Sequence, residues 1–191
     1  MQHLTLVYYT KRKELSHLQE ADVVVIGVGV AGIALTYHLA NEVANVILLE
    51  RGYLGDGASG ATMSNLNLHN RLPRIEMNLA LYTMRLYQNF MNTFETDIEY
   101  EKTSNFLLLT NKELIPWAKK RVLAQQQSGL GIYILPRKDL DRVDPFISPS
   151  IEVAVLCRDS SWLNPFALCR GFIREAKKAG ARVFFILESL V

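Results

Sequence analysis

Cysteine is nearly missing from this sequence. The two residues present, Cys157 and Cys169, form no CxxC pair. Two thiols so spaced make no disulfide framework, which excludes the small stapled secreted domains and leaves a reducing cytoplasm as the expected compartment. Both are expected as small core residues. Excess charge is missing too: the formal net charge is +2, too small for nucleic acid or an acidic membrane to be the main partner. The short basic groups Lys11-Arg12-Lys13 and Lys119-Lys120-Arg121 are expected to be solvated faces. No apolar run is long enough to span a bilayer, and the N-terminus lacks the order of charge, apolar stretch and cleavage site of a signal peptide. No histidine has metal-ligand spacing with another histidine or a cysteine, so no metal site is expected. There is no internal repeat and no low-complexity tract.

What is present is apolar material, 49% of 191 residues. That suits one domain, or a nucleotide-binding unit with part of a second. Met1 to Glu20 has weak periodicity and mixed charge and is expected as an extension outside the fold. Val23 to Ile26 is a β-branched run with the composition of a buried strand. A helix is expected from about Val30 to Asn41, then a second strand from Val46 to Leu49 ending in Glu50. This is the size of a βαβ unit, whose right-handed crossover sets the two strands side by side and parallel.

Between those strands lies "GVGVAG", with Gly27, Gly29 and Gly32 in a GxGxxG pattern. A glycine triplet alone is weak evidence, but here it leaves a strand and enters a helix. The first glycine permits the tight turn, the second lets a pyrophosphate approach the backbone, and the third lets the helix pack against the sheet. The amides around Val30 and Ala31 face the negative charge, aided by the helix dipole. Glu50 follows Gly32 by eighteen residues and is placed to accept hydrogen bonds from ribose hydroxyls. An acid there would repel the 2′-phosphate of NADP. The pattern predicts an adenine dinucleotide site.

From Gly52 to Asn70 the texture changes to glycine, serine, threonine and asparagine, with no period. A simple NAD domain would go promptly into another amphipathic helix and strand. The free amides and hydroxyls of "ERGYLGDGASGATMSN" suit instead a long extended cofactor, with Ser59 donating to phosphate and the backbone near Met63 to Asn65 lining a ring system. That favours a flavin. Further on, Pro73 sits where a helix could start. Ile75, Leu79, Tyr82, Leu86, Phe90 and Phe94 follow at helical spacing, with Met77, Leu81, Met84 and Met91 between them. A buried core helix is expected. Strands are expected at Asp97 to Glu101, Phe106 to Thr110, Ile132 to Leu135 and Ile151 to Leu156. A helix is expected from about Lys112 to Gln127, and an irregular connection around Pro145 and Pro149. The last segment reads as a helix capped by Asn164 with proline in its first turn, stopped by Gly180, and a final strand to Leu187.

The glycine loop, Glu50-Arg51 and "GASGATMSN" together resemble the N-terminal half of the FAD-dependent amino acid and amine oxidoreductases, the D-amino-acid oxidase family. "WLNP" with the helix and strand after it is similar to that family's return into its FAD domain. The resemblance spans roughly Ala21 to Leu187, with its specific motifs between Ile26 and Asn65. It implies an α/β fold: an incomplete Rossmann-like FAD-binding domain with part of an α+β substrate domain inserted. The extension would occupy 1–20, the first part of the FAD domain 21–96, a partial substrate domain 97–150, and the return segment 151–191.

By the same resemblance, Val30 and Ala31 would contact pyrophosphate, and Glu50 and Arg51 would flank the adenosine ribose. Ala58 and Ser59 would hold phosphate or ribitol, while Met63, Ser64 and Asn65 would pass near the isoalloxazine. The implied chemistry is oxidation of the C–N bond of a small amine or amino acid: flavin takes a hydride and water hydrolyses the imine. The family's carboxylate-clamping arginine and active-site tyrosines come from its later half, so this chain is expected to be a fragment, a truncated gene product, or one partner of a second polypeptide. Covalent flavin attachment through His69 is not expected, because "NLNLHN" lacks the tryptophan-histidine pattern of relatives that do this. Two other readings stand beside the lead: a NAD-dependent dehydrogenase, and a non-catalytic remnant or nucleotide-binding subunit.

Overall fold

A computed structural model describes residues 20–42 and 45–185. All but the last residue of the expected extension therefore lies outside the described residues, with Lys11-Arg12-Lys13, His3 and His17. The first elements are strand β1 (Val23–Ile26), helix α1 (Val30–Glu42), β2 (Val46–Glu50), β3 (Asn65–Leu66) and α2 (Ile75–Thr93). Then follow β4 (Glu101–Leu109), α3 (Ile115–Gln127), β5 (Ile132–Pro136), α4 (Arg137–Val143), β6 (Val153–Trp162), α5 (Pro165–Lys178) and β7 (Arg182–Phe185). They form two compact units.

The first unit gathers the described residues up to Met63, Phe94–Ile98, and those from Asn164 onward. Its sheet is parallel with strand order β1-β2-β7. β2 is central and buried from Val46 to Leu49, as a strand covered on both faces must be. Helices α1 and α5 pack together through Tyr37, Phe94 and Phe172, whose ring centroids lie 5.2–5.6 Å apart at steep angles. Gly171 makes room for this cluster, since a Cβ there would lie 2.8 Å from Phe94. Asn164 caps α5, accepting from the amides of Phe166 and Ala167, and Gly180 ends the turn after it at φ +97°. Both features match the sequence expectation.

The second unit comprises Ser64–Thr93 and Glu99–Leu163. β6 pairs antiparallel with β4 along one edge and with β3 and β5 along the other. Helices α2 and α3 share its core, where Met77, Met84, Ala118 and Val122 meet Leu109, Ile132, Val155 and Cys157. Leu140 of α4 packs with Ile151 and Ala154 in a satellite cluster.

Several expectations change here. Segments 75–93 and 151–163, which the resemblance implies for the FAD-binding domain, lie in the second compact unit. The reason is physical: β6 shares its ladder with β3, β4 and β5, and α2 buries Met77 and Met84 on that sheet. α2 was expected to be buried on most sides, yet only one face packs. Ile75, Leu79, Tyr82 and Met91 are exposed, Ile75 by 76%. The runs Asp97 to Glu101 and Phe106 to Thr110 are not two strands; a single strand, β4, begins at Glu101 and bridges the polar "KTSN" with a β-bulge between Thr103 and Asn105. The connection around Pro145 and Pro149 is irregular as expected, and the short helix α4 precedes it. Lys119 and Lys120 are exposed, but Arg121 lies over the Trp117 ring at 5.6 Å and donates to the His69 carbonyl. Cys157 and Cys169 are both buried.

Candidate functional site

The glycine turn is built as its sequence demands. Gly27 leaves β1 at φ +105°, a conformation side chains disfavour, and its amide donates to the Leu49 carbonyl at 2.8 Å. Gly32 then brings α1 hard against the turn: a Cβ on it would sit 2.2 Å from the Gly27 carbonyl oxygen. At Gly29 a Cβ would meet the Ser59 hydroxyl at 3.3 Å. α1 starts at Val30, so helix geometry leaves the amides of Ala31 and Gly32 without an intrahelical acceptor, at the positive end of the dipole.

Glu50, at the end of β2, fastens this turn to the following loop. Its Oε2 accepts from the Val28 amide at 2.7 Å, and its Oε1 accepts from the Gly52 amide at 2.7 Å. Burial alone would raise the Glu50 carboxyl; the amides of Val28, Gly52 and Arg51, with the Arg51 charge, outweigh it and hold it below its ordinary value. Ser59 Oγ accepts from the Val30 amide at 2.9 Å. Val30, expected to face the diphosphate, thus gives its N–H to Ser59, while the Ser59 proton stays free to donate outward.

The loop after β2 is a series of turns. The Gly55 amide donates to the Val28 carbonyl, Asp56 to Tyr53, and Gly60 and Ala61 to Gly57. Phe166 of α5 braces it, since a Cβ on Gly55 or on Gly60 would come within 3.1 Å of its ring. Ala58, Arg51 and Met63 are exposed, Met63 by 86%. Gly27, Gly29, Val30, Ala31, Gly32, Glu50, Arg51, Ala58, Ser59 and Met63 all lie in the first unit. Ser64 and Asn65 open the second. Ser64 has a positive φ of 66°, and Asn65 starts β3, where its Oδ1 accepts from Asn105 at 3.0 Å. His69 is buried, with no hydrogen-bond partner for Nδ1 among the described residues. His38 is exposed and meets Tyr37 edge-on at 5.0 Å.

Sequence reasoning missed Val28, Gly52, Gly55 and Phe166. The glycine density from Gly52 to Gly60 was the available signal for the tight turns. Nothing local marks Phe166, which reaches the loop from more than a hundred residues away in the chain.

A sequence model of the family described as FAD dependent oxidoreductase matches residues 22–186. The chain belongs to this FAD-dependent oxidoreductase family. Among curated relatives, the glycine oxidase of Bacillus subtilis (strain 168) is 25% identical over 169 residues, covering 85% of this chain and 44% of its own length. Among solved structures, glycine oxidase from Bacillus cereus ATCC 14579 superposes with a TM-score of 0.73 at 23% identity, over 87% of this chain and 46% of that one. L-proline dehydrogenase from P. horikoshii gives 0.78 at 18% identity, over 88% and 44%. The chain thus spans under half the length of these relatives. Among the described residues, no helix is long and apolar enough to cross a membrane.

Proposed function

We propose that this chain holds the adenosine diphosphate portion of FAD at the Gly27–Gly32 turn, within a flavoprotein that oxidises the C–N bond of an amino acid or amine. The observation that carries the reading is the coupled set of Gly29, Glu50 and Ser59 around one helix N-terminus. The residues present fit a diphosphate: Gly29 has no side chain to block approach, Ala31 and Gly32 offer amides, and the Ser59 hydroxyl has a proton to donate. The Glu50 carboxylate, tied to the Val28 and Gly52 amides at the strand end, is the acceptor for a ribose hydroxyl. Arg51 and Ala58, exposed beside these groups, are assigned to the ribose and phosphate edges.

Bound flavin would supply the two-electron acceptor for hydride leaving the amine-bearing carbon. The part of this chain's residues is to bind, to orient and to fix charge. The family resemblance assigns Met63, Ser64 and Asn65 to the neighbourhood of the ring, and that assignment is retained as part of the proposal. A small amine or amino acid is the substrate class it implies.

The test is the visible spectrum of the purified 191-residue chain after incubation with FAD and desalting. Retained flavin absorbance that falls in Gly29→Val supports the reading. A colourless chain, with far-UV circular dichroism that shows it folded, overturns it.

A further inference from the structure

A second set of groups, remote in sequence from the glycine turn, converges inside the second unit. A cavity of about 340 Å³ opens between α2 and the sheet, lined by Arg85 and Gln88 of α2, Lys102 of β4, and Arg158, Ser160 and Ser161 of β6. That volume is within the range of small-molecule sites. Leu81 and Met84 give it an apolar wall.

We propose that this cavity is a binding site for a small organic anion, one bearing a carboxylate or phosphate on a short aliphatic body. Arg85 of α2 and Lys102 of β4 line one space, and neither forms an ion pair among the described residues. The Arg158 guanidinium is turned instead over the Tyr133 ring at 5.4 Å, so Arg85 and Lys102 are the cations an anion here would meet. Asp159, the one acid in the lining, accepts from the Gly131 amide at 2.5 Å and is drawn to the turn before β5.

The floor of the cavity supplies the second, independent sign. Ser161 is fully buried and its hydroxyl bonds Tyr100 Oη at 2.7 Å, which in turn accepts from Gln88 at 3.4 Å. Ser160 is 1% exposed and its hydroxyl has no hydrogen-bond partner of good geometry among the described residues; the Cys157 thiol beside it is a weak one. A buried hydroxyl so placed has a proton to give, and an anionic oxygen held by Arg85 and Lys102 is the acceptor that suits it. The strand register sets Lys102 opposite Ser161 and Thr103 opposite Ser160. The apolar wall selects an anion that carries carbon over a bare ion.

The proposal does not rest on the flavin reading, because it uses none of the glycine-turn residues. Its test is a calorimetric titration of the full chain, at low ionic strength, with glutarate and separately with inorganic phosphate. Saturable 1:1 binding of either anion is expected. It should weaken at least tenfold in the Arg85→Gln, Lys102→Gln double variant and several-fold in Ser160→Ala. Both cations are exposed, so that double variant should keep its far-UV circular dichroism. Lys119→Gln, an exposed control on α3, should bind as the parent does. Stronger binding of glutarate assigns a carboxylate ligand, and stronger binding of phosphate a phosphoryl one. No saturation by either anion overturns the proposal, as does equal weakening in the Lys119→Gln control.

Discussion

Replacing Gly32 by alanine tests whether the turn is held by contact or only by composition. Gly32 lies in the first turn of α1 and is not among the glycines with positive φ, so alanine would suit its backbone and even raise helix propensity, by about 1 kcal/mol. Space is what forbids it. The new Cβ would lie 2.2 Å from the Gly27 carbonyl oxygen, 0.8 Å inside the 3.0 Å that real Cβ contacts do not undercut. That oxygen belongs to the backbone of a tight turn and cannot rotate away as a side chain would. α1 must therefore slide out from β1, although Ile33 and Thr36 on the same helix are fully buried. Overpacking of this kind costs about 1–3 kcal/mol, and a rigid neighbour puts it at the upper end. After the propensity gain, the net loss should be about 1–2 kcal/mol.

With a urea slope of about 2 kcal/mol/M for a protein of this size, the unfolding midpoint should fall by about 0.5–1 M. Circular dichroism on the full chain measures it. Flavin retention should fall as well, since the Ala31 and Gly32 amides move with the helix. Gly29→Ala is the informative comparison: its Cβ meets only the end of a serine side chain, at 3.3 Å. Stability should change by less than about 0.5 kcal/mol, while flavin retention drops. A Gly32→Ala chain with an unchanged midpoint would refute the packing argument.

Three further outcomes are expected. Glu50→Gln leaves a donor facing one of the two amides that the carboxylate now accepts from. It should cost about 1–2 kcal/mol, read as a lower urea midpoint at neutral pH. The folded Glu50 pKa is depressed, so its contribution is present above the ordinary carboxyl range and is lost as pH falls through the folded value; the parent and Glu50→Gln midpoints should converge as pH falls below the ordinary carboxyl range. Asn164→Ala removes a cap that accepts from two amides and should cost about 1 kcal/mol by the same assay, with Asn164→Asp close to the parent. Burial, and then the Arg121 charge, lower the His69 pKa. The unfolded chain then binds the extra proton first, so stability should fall as pH drops below about 6.5, and less steeply in His69→Gln.

What the sequence made legible was local grammar. Gly27, Gly29 and Gly32, the cap at Asn164 and the stop at Gly180 each follow from the conformation of one or two residues and their neighbours, so they could be read without partners. What stayed hidden depended on contacts distant in the chain. Ile75, Leu79 and Tyr82 are as apolar as Met77 and Met84, so no pattern within α2 says which face meets the sheet. The "KTSN" of β4 reads as a turn, since its ladder with β6 and the bulge at Thr103 and Asn105 are tertiary facts. α4 has seven residues between prolines. It is held by Leu140 in the core and by Arg137, which donates to the Ser148 carbonyl at 2.7 Å, and neither is a propensity.

Glu50 shows how the two kinds of information combine. Its position at the end of β2 marks it for a ribose, yet its first task in the fold is to tie the Val28 amide on one side of the strand end to the Gly52 amide on the other. The same loop is bound back a second time through Gly55 to the Val28 carbonyl, a third time through Ser59 to the Val30 amide, and is braced by Phe166. Those ties fix the helix N-terminus, the carboxylate and the hydroxyl relative to one another before any ligand arrives, so less ordering entropy opposes binding. It follows that variants in the brace should act through the same readout as variants in the turn. Phe166→Ala touches none of the groups assigned to the cofactor, and it should still lower flavin retention by loosening Gly55 and Gly60. If the loop needed no bracing, that variant would retain flavin as the parent does.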